Sequence, residues 1–312
     1  MNRDFNVAAD HGGGVDKAIA TWGGSRAEWL DLSTGINPEL YDIRELASED
    51  WACLPDRRSQ DETILAARQF WQIPDKAAVI AVNGASAAIA ILPYILPGTS
   101  FATLEPTYNE YARSFRAAGW KSGDDVRIVV HPNNPDGRLL PDLSDHAGLL
   151  IIDESFCDTM PERSLIHMAE QKNVLILKSF GKFWGVAGVR LGFVAGDPAL
   201  IAKLAKALGP WPVSGPALRL GTRALSDHAW AERTRTRLRA DASRLDKMVQ
   251  GWGATLVGGT PLFRLFAVDD AKAWHDDFAR KKILTRIFAY SKTWIRIGLP
   301  PSSAWDRLEA AR

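Results

Sequence analysis

The sequence predicts an α/β protein: a mostly parallel central sheet with helices on both faces, followed by a smaller α+β C-terminal domain. Three observations carry this expectation. From residue 78 onward, short apolar runs alternate with helical patterns. The runs are apolar throughout rather than alternating, as strands buried on both faces are. Each run but the last ends in a polar or glycine-rich cluster, the end of an open α/β sheet where ligands are bound.

The first forty or so residues, with HGGG, TWGG and STGINP, are dense in turn signals and read as an extended arm rather than a packed layer. Glu62–Trp71 sets Ile64, Leu65, Ala67, Phe70 and Trp71 on one side, which predicts a helix. Strands are then expected at Ala78–Val82, Ser100–Leu104, Val126–Val130, Leu149–Ile152, Val174–Leu177 and Val189–Ala195, with helices from Ala87 and at Glu110–Ala118. The breaker-rich PWPVSGP at 210–216 marks a junction. Beyond it come a long charged helix, Trp230–Trp252, and strand-like pieces at Ala254–Val257, Leu262–Ala267 and Trp294–Gly298. The expected organisation is an arm at 1–40, a large domain at 41–210 and a small domain at 211–312.

Composition narrows the function. The 312 residues, 46% hydrophobic and 24% charged, suit two cores rather than one. A net charge of +1 without a basic run gives no footprint for nucleic acid or an anionic membrane. The cysteines, Cys53 and Cys157, lack metal or disulfide spacing, which suggests a reducing cytoplasm and no metal. The N-terminus lacks the apolar core of a signal peptide, and the longest apolar run, Ala85–Leu96, is short for a membrane span and interrupted by Pro93.

Three strand ends carry the chemistry: Asp153 after LLII, Lys182 in KSFGKFWG, and Arg190 in GVAGVRLG. An amine, an acid and a cation so placed can supply a covalent lysine, a partner for a heterocyclic nitrogen and a phosphate ligand. Each has a plainer reading alone. Lys182 could be a surface lysine, and Asp153 a helix N-cap. Arg190 lies inside an apolar run, where an unpaired charge is costly, so a phosphate partner is the simpler account. Tyr108 and Asn134 could serve turn chemistry in EPTY and NNPDG.

The run DESF followed by SFGKFWGVAGVRLG resembles the fold-type I pyridoxal 5′-phosphate (PLP) enzymes of the class I/II aminotransferase superfamily, in particular the histidinol-phosphate aminotransferase branch. The resemblance spans roughly residues 31 to 299. It implies PLP as cofactor, with Lys182 as its Schiff-base lysine and Asp153 at the pyridine nitrogen. Tyr108 resembles the aromatic that stacks on the ring, and Asn134 the donor to the 3′-oxygen. Ser179 and Arg190 resemble phosphate ligands, and Gly84, Ala85 and Ser86 the turn that cradles the phosphate at a helix N-terminus. Arg296, in WIRIGL, resembles the arginine that grips a substrate α-carboxylate.

HGGG, LDLSTGINP and ILTRIFAYSKTWIRIGLP give a narrower resemblance, to the cobalamin-pathway threonine-phosphate decarboxylases. These release carbon dioxide from L-threonine O-3-phosphate and leave (R)-1-amino-2-propanol O-2-phosphate. It implies that His11, Gly12, Gly13 and Arg286 bind the substrate phosphate and that Asn37 lines the substrate site beside Arg296; the broader fold-type I resemblance implies a homodimer. Two departures stand out. Phe156 occupies the position of a tyrosine that bonds the 3′-oxygen. Leu54 occupies that of a tyrosine which reaches the partner subunit's cofactor phosphate. The alternatives are an aminotransferase for a phosphorylated substrate such as histidinol phosphate, and a non-catalytic binding protein of the same fold.

Overall fold

The computed structural model describes residues 11–44, 46–140, 143 and 148–312; the first ten residues of the expected arm lie outside them. The strands are β1 Leu30–Asp31, β2 Ala78–Val82, β3 Ser100–Thr103, β4 Lys121–Ser122, β5 Val126–Val130, β6 Leu149–Asp153, β7 Val174–Ser179 and β8 Gly192–Gly196, then β9 Thr255–Thr260, β10 Phe263–Ala267, β11 Ile283–Leu284, β12 Arg286–Phe288 and β13 Ser291–Gly298. The helices are α1 Val15–Trp22, α2 Ser48–Ala52, α3 Arg57–Trp71, α4 Ala85–Ile95, α5 Asn109–Ala117 and α6 Phe180–Phe183, then α7 Pro198–Leu208, α8 Gly215–Ser226, α9 His228–Gly251, α10 Ala271–Arg280 and α11 Trp305–Glu309.

Two compact units form. The larger comprises Ile36–Asp241 with Gly259–Leu262; the smaller comprises the described part of Met1–Gly35 with Ala242–Gly258 and Phe263–Arg312. The sequence reading instead divides the chain after residues 40 and 210. In the structure α8 packs on α3, where Thr63 Oγ1 lies 2.8 Å from Thr222 Oγ1 and donates to the Leu218 carbonyl at 3.1 Å. The residues after PWPVSGP therefore continue the larger unit.

The larger unit holds a seven-stranded sheet in the order β2-β8-β7-β6-β5-β3-β4. It is parallel except for β8, which runs antiparallel to both β2 and β7. Alternation along the central strands divides their side chains between the two faces. Leu149, Ile151, Leu175 and Leu177 join a core with Ala88, Ile89 and Leu92 of α4, Tyr111 and Phe115 of α5, and Leu204 of α7. By the same alternation Asp153 and Ser179 point to that face at the strand ends, and Lys178 to the opposite one.

On that opposite face Lys178 is paired with Glu154, both side chains being almost fully buried. Lys178 also lies 3.9 Å from Asp158, which accepts from Trp71 Nε1 at 2.8 Å. Burial opposes the charge on Lys178, but Glu154, Cys157 and Asp158 outweigh it and raise the ammonium pKa. The pair bridges the ends of β6 and β7, where the Glu154 N–H also donates to the Leu177 carbonyl at 2.8 Å.

The smaller unit contains a four-stranded sheet, β12-β13-β10-β9, and the parallel pair β1-β11. The expectation of an extended arm needs correction. Val15, Ala18, Ile19 and Trp22 recur at helical spacing in α1 and pack on Trp29, Ala279 and Leu284. The glycines on either side hide that short period. Among the described residues no helix is long and apolar enough to cross a membrane.

Removing one partner of a buried ion pair leaves an uncompensated charge, whereas replacing both is far milder. Lys178→Met is therefore expected to lower unfolding stability by about 3–5 kcal/mol in urea titrations, and Glu154→Leu/Lys178→Met to recover most of that loss.

Candidate active site

Asp153 is the last residue of β6 and is 2% exposed. Its carboxylate is held from two sides: Oδ2 accepts from the Tyr111 hydroxyl at 2.9 Å, and Oδ1 from the Ser155 N–H at 2.8 Å. Hydrogen bonds to an ionised acceptor are about twice as strong as neutral ones. Burial, then the charge of Asp153, raises the Tyr111 pKa well above its ordinary value, so the hydroxyl keeps its proton and donates. The sequence reading missed Tyr111. Its only signal is a place three residues after Tyr108, one turn further along α5. Tyr108 is the N-cap of α5; burial and the Asp153 charge push its phenol up to about 12, and it shares a hydrogen bond with Ser86.

Lys182 follows β7 within α6, a helix of one turn. Its Nζ donates to Ser179 Oγ at 3.1 Å and lies 5.1 Å from the centroid of the Phe156 ring. The residue that departs from the aminotransferase pattern thus faces the amine itself. Arg190 requires a correction. It does not lie in a strand, because β8 begins at Gly192, and its side chain is not buried. It ends a 3-10 turn in the left-handed region, φ 55°, with Nη1 donating to the Ala187 carbonyl at 3.1 Å. A non-glycine residue held there is strained, and such strain collects at functional sites.

Gly84 (φ 74°) precedes α4, and a Cβ on it would stand 2.6 Å from Arg190 Nη2. Only glycine lets that guanidinium approach the turn. The first N–H groups of α4 and the Arg190 cation thereby form a cradle for a phosphate.

One cavity is lined by Ala85, Ser86, Tyr108, Asn134, Asp153, Ser179, Lys182 and Arg190, together with Ile89, Val130, Ser155 and Phe156. Gly84 adjoins it. The donor set fits PLP: an amine for the aldehyde, a held carboxylate for the ring nitrogen, an aromatic side chain for the ring, and a cationic turn for the phosphate.

The smaller unit gathers other predicted residues. Arg296 of β13 is 6% exposed and lies directly across the strand pair from Arg286 of β12. Burial, then the Arg286 charge, pushes Arg296 down to about 10. Like charges opposite one another on adjacent strands oppose folding, and an anion relieves them. Arg296 Nη2 donates to the Ser33 carbonyl at 2.8 Å, and Ser33 Oγ accepts from the Gly13 N–H at 2.7 Å. A Cβ on Gly12 would overlap the Ser33 carbonyl. Gly12, Gly13 and Arg296 therefore meet around Ser33, which the sequence reading did not single out; His11 is exposed at the arm's described start. Asn37 belongs to the larger unit, where it is buried and its side-chain amide donates to the Phe183 carbonyl at 2.9 Å. Leu54 is 68% exposed.

The model of the family "aminotransferase class I and II" matches residues 122–308. A threonine-phosphate decarboxylase of a Sinorhizobium species is 37% identical to this chain, over 95% of each protein. One from Pseudomonas aeruginosa is 36% identical, over 97% of this chain and 96% of its own length. Among solved structures, a histidinol-phosphate aminotransferase from Sinorhizobium meliloti, in complex with pyridoxal-5′-phosphate, shares the fold. Its TM-score is 0.82 at 17% identity, covering 95% of this chain and 92% of that one.

Tyr111→Phe removes one donor from a buried carboxylate. A loss of about 1.5–3 kcal/mol is expected in denaturant unfolding, the range for hydrogen bonds to charged groups, and a loss below about 0.5 kcal/mol would deny Tyr111 this role.

Proposed function

The chain belongs to the class I and II aminotransferase family, and on that premise we propose that it is a PLP-dependent decarboxylase of L-threonine O-3-phosphate, acting in cobalamin biosynthesis. The observation that carries the reading is the single cavity in which Lys182, Asp153, Tyr108 and Arg190 converge. Full-length similarity to two threonine-phosphate decarboxylases supports the substrate.

When bound, the cofactor supplies an electrophilic carbon for the substrate amine and a cationic ring that draws electrons from bonds at Cα. Lys182 provides the amine that holds it. Asp153, held in place by the Tyr111 hydroxyl and the Ser155 N–H, would pair with the ring nitrogen and stabilise a proton there. Tyr108 and Asn134 line the same cavity, where Tyr108 would pack on the ring and Asn134 would donate to its 3′-oxygen. Ser86, Ser179, Arg190 and the N–H groups after Gly84 hold the cofactor phosphate.

Arg296 receives the substrate carboxylate. Arg286, His11 and the Gly12–Gly13 backbone receive the substrate phosphate, and Asn37 lines the substrate site. Two arginines suit a substrate with two anionic groups. Release of carbon dioxide leaves an electron pair at Cα, and Lys182, once displaced by the substrate amine, or water delivers the proton that replaces the lost carboxylate there.

We further place the enzyme in the cytoplasm as a homodimer. Both described cysteines are free, which supports a reducing compartment. Trp51, Leu54 and Trp211 remain 70%, 68% and 52% exposed on the larger unit, and a second copy would cover them.

The aminotransferase reading uses the same residues but breaks Cα–H in place of the carboxylate bond. The enzyme incubated with L-threonine O-3-phosphate and no keto acid is expected to release carbon dioxide; strict dependence on 2-oxoglutarate sinks the decarboxylase reading. Arg296→Ala is expected to raise KM for this substrate by about a hundredfold or more, because it strips a buried partner from the carboxylate.

A further inference from the structure

We infer that Arg237 is a positioning residue for Lys182, acting through Asn37. The inference rests on the reading of Lys182 as the cofactor-linking amine.

Lys182 sits in α6, four residues long, whose carbonyls cannot all be satisfied within the helix. Residues 37–41 supply the donors. The Asn37 N–H donates to the Lys182 carbonyl at 2.9 Å, and the Tyr41 N–H to the Trp184 carbonyl at 2.9 Å. Between these, Asn37 Nδ2 donates to the Phe183 carbonyl at 2.9 Å. The strip lies close: a Cβ on Gly185 (φ 71°) would stand 2.8 Å from the Asn37 carbonyl oxygen and from Leu40 Cα.

The other end of the Asn37 side chain meets Arg237. Asn37 Oδ1 accepts from Arg237 Nη2 at 2.6 Å and from the Glu39 N–H at 3.1 Å. An amide has one accepting and one donating end, so a guanidinium at the oxygen turns the nitrogen toward the Phe183 carbonyl. Arg237 is steadied in turn by Asp241, 3.1 Å away on the next turn of α9. Asn37 is 2% exposed, so water cannot replace a lost donor at small cost. Without Arg237 the amide oxygen keeps only the Glu39 N–H and loses its charged donor, so the side chain that donates to the Phe183 carbonyl is held less firmly. That loosening acts on the main chain that carries Lys182.

The test uses cofactor-loaded enzyme carrying Arg237→Met, Arg237→Lys or Asn37→Asp. Three quantities are read: the melting temperature, the pH midpoint of the cofactor absorbance band without substrate, and kcat and KM for L-threonine O-3-phosphate. Arg237→Met is expected to melt within a few degrees of wild type, to shift the absorbance midpoint, and to lower kcat about 10- to 100-fold with KM changed less than about threefold. Arg237→Lys, which keeps a donor, is expected to regain part of the loss. Asn37→Asp keeps its bond to Arg237 but cannot donate to Phe183; because Asn37 also lines the substrate site, this variant is read on the substrate-free absorbance midpoint, which is expected to shift while the enzyme stays folded, and it carries the test should Arg237→Met fail to fold. An unchanged kcat and absorbance midpoint in the folded variants overturns the inference, as does a change in KM alone. If wild type releases no carbon dioxide while Arg237→Met still shifts the substrate-free band, the decarboxylase reading fails and the positioning role stands.

Discussion

A carboxylate buried at the end of a central strand governs this structure. Burying the Asp153 charge is costly unless donors surround it, and the fold meets that demand with the Tyr111 hydroxyl and the Ser155 N–H. The remaining acceptor capacity faces the cavity that Lys182 also lines. A parallel sheet lends itself to this arrangement because its strand ends lie side by side. Asp153 and Leu177 are register partners, so the acid and the turn bearing Lys182 leave the sheet from neighbouring strands.

The pleat then separates two kinds of charge. Asp153 and Ser179 point to the cavity face, while Lys178 pairs with Glu154 on the other face among Trp71 and Asp158. A sheet only one residue thick can thus carry reactive groups in front and an ion pair behind. The cavity face also concentrates backbone constraint. Gly84 leaves room for the Arg190 guanidinium, Arg190 is held in the left-handed region, and Gly185 allows residues 37–41 to lie against the lysine turn.

Much of this was legible in the sequence because strand ends announce themselves. LLII followed by Asp153, and VLIL followed by KSFGK, put the acid and the amine beyond apolar runs, and the structure brings them to one cavity. Strand edges slipped by one to three residues, and at Arg190 the slip mattered: an arginine assigned to a buried strand is an exposed turn residue. What stayed hidden depends on distant packing. Tyr111 reaches Asp153 across 42 residues, Arg237 reaches Asn37 across 200, and no local pattern records either bond. Lys178 read as one more residue after an apolar run because its partner, Glu154, lies on another strand end. The helix α1 was missed because glycines surround its apolar period.

The site's chemistry converges on one amine, and its covalent engagement can be read directly. Borohydride reduction of the PLP-loaded enzyme, followed by peptide mapping with mass spectrometry, locates the lysine that holds the cofactor. A single pyridoxyl-modified peptide containing Lys182 is expected. Modification at Lys178 or any other lysine, or none at all in enzyme supplied with PLP, contradicts it.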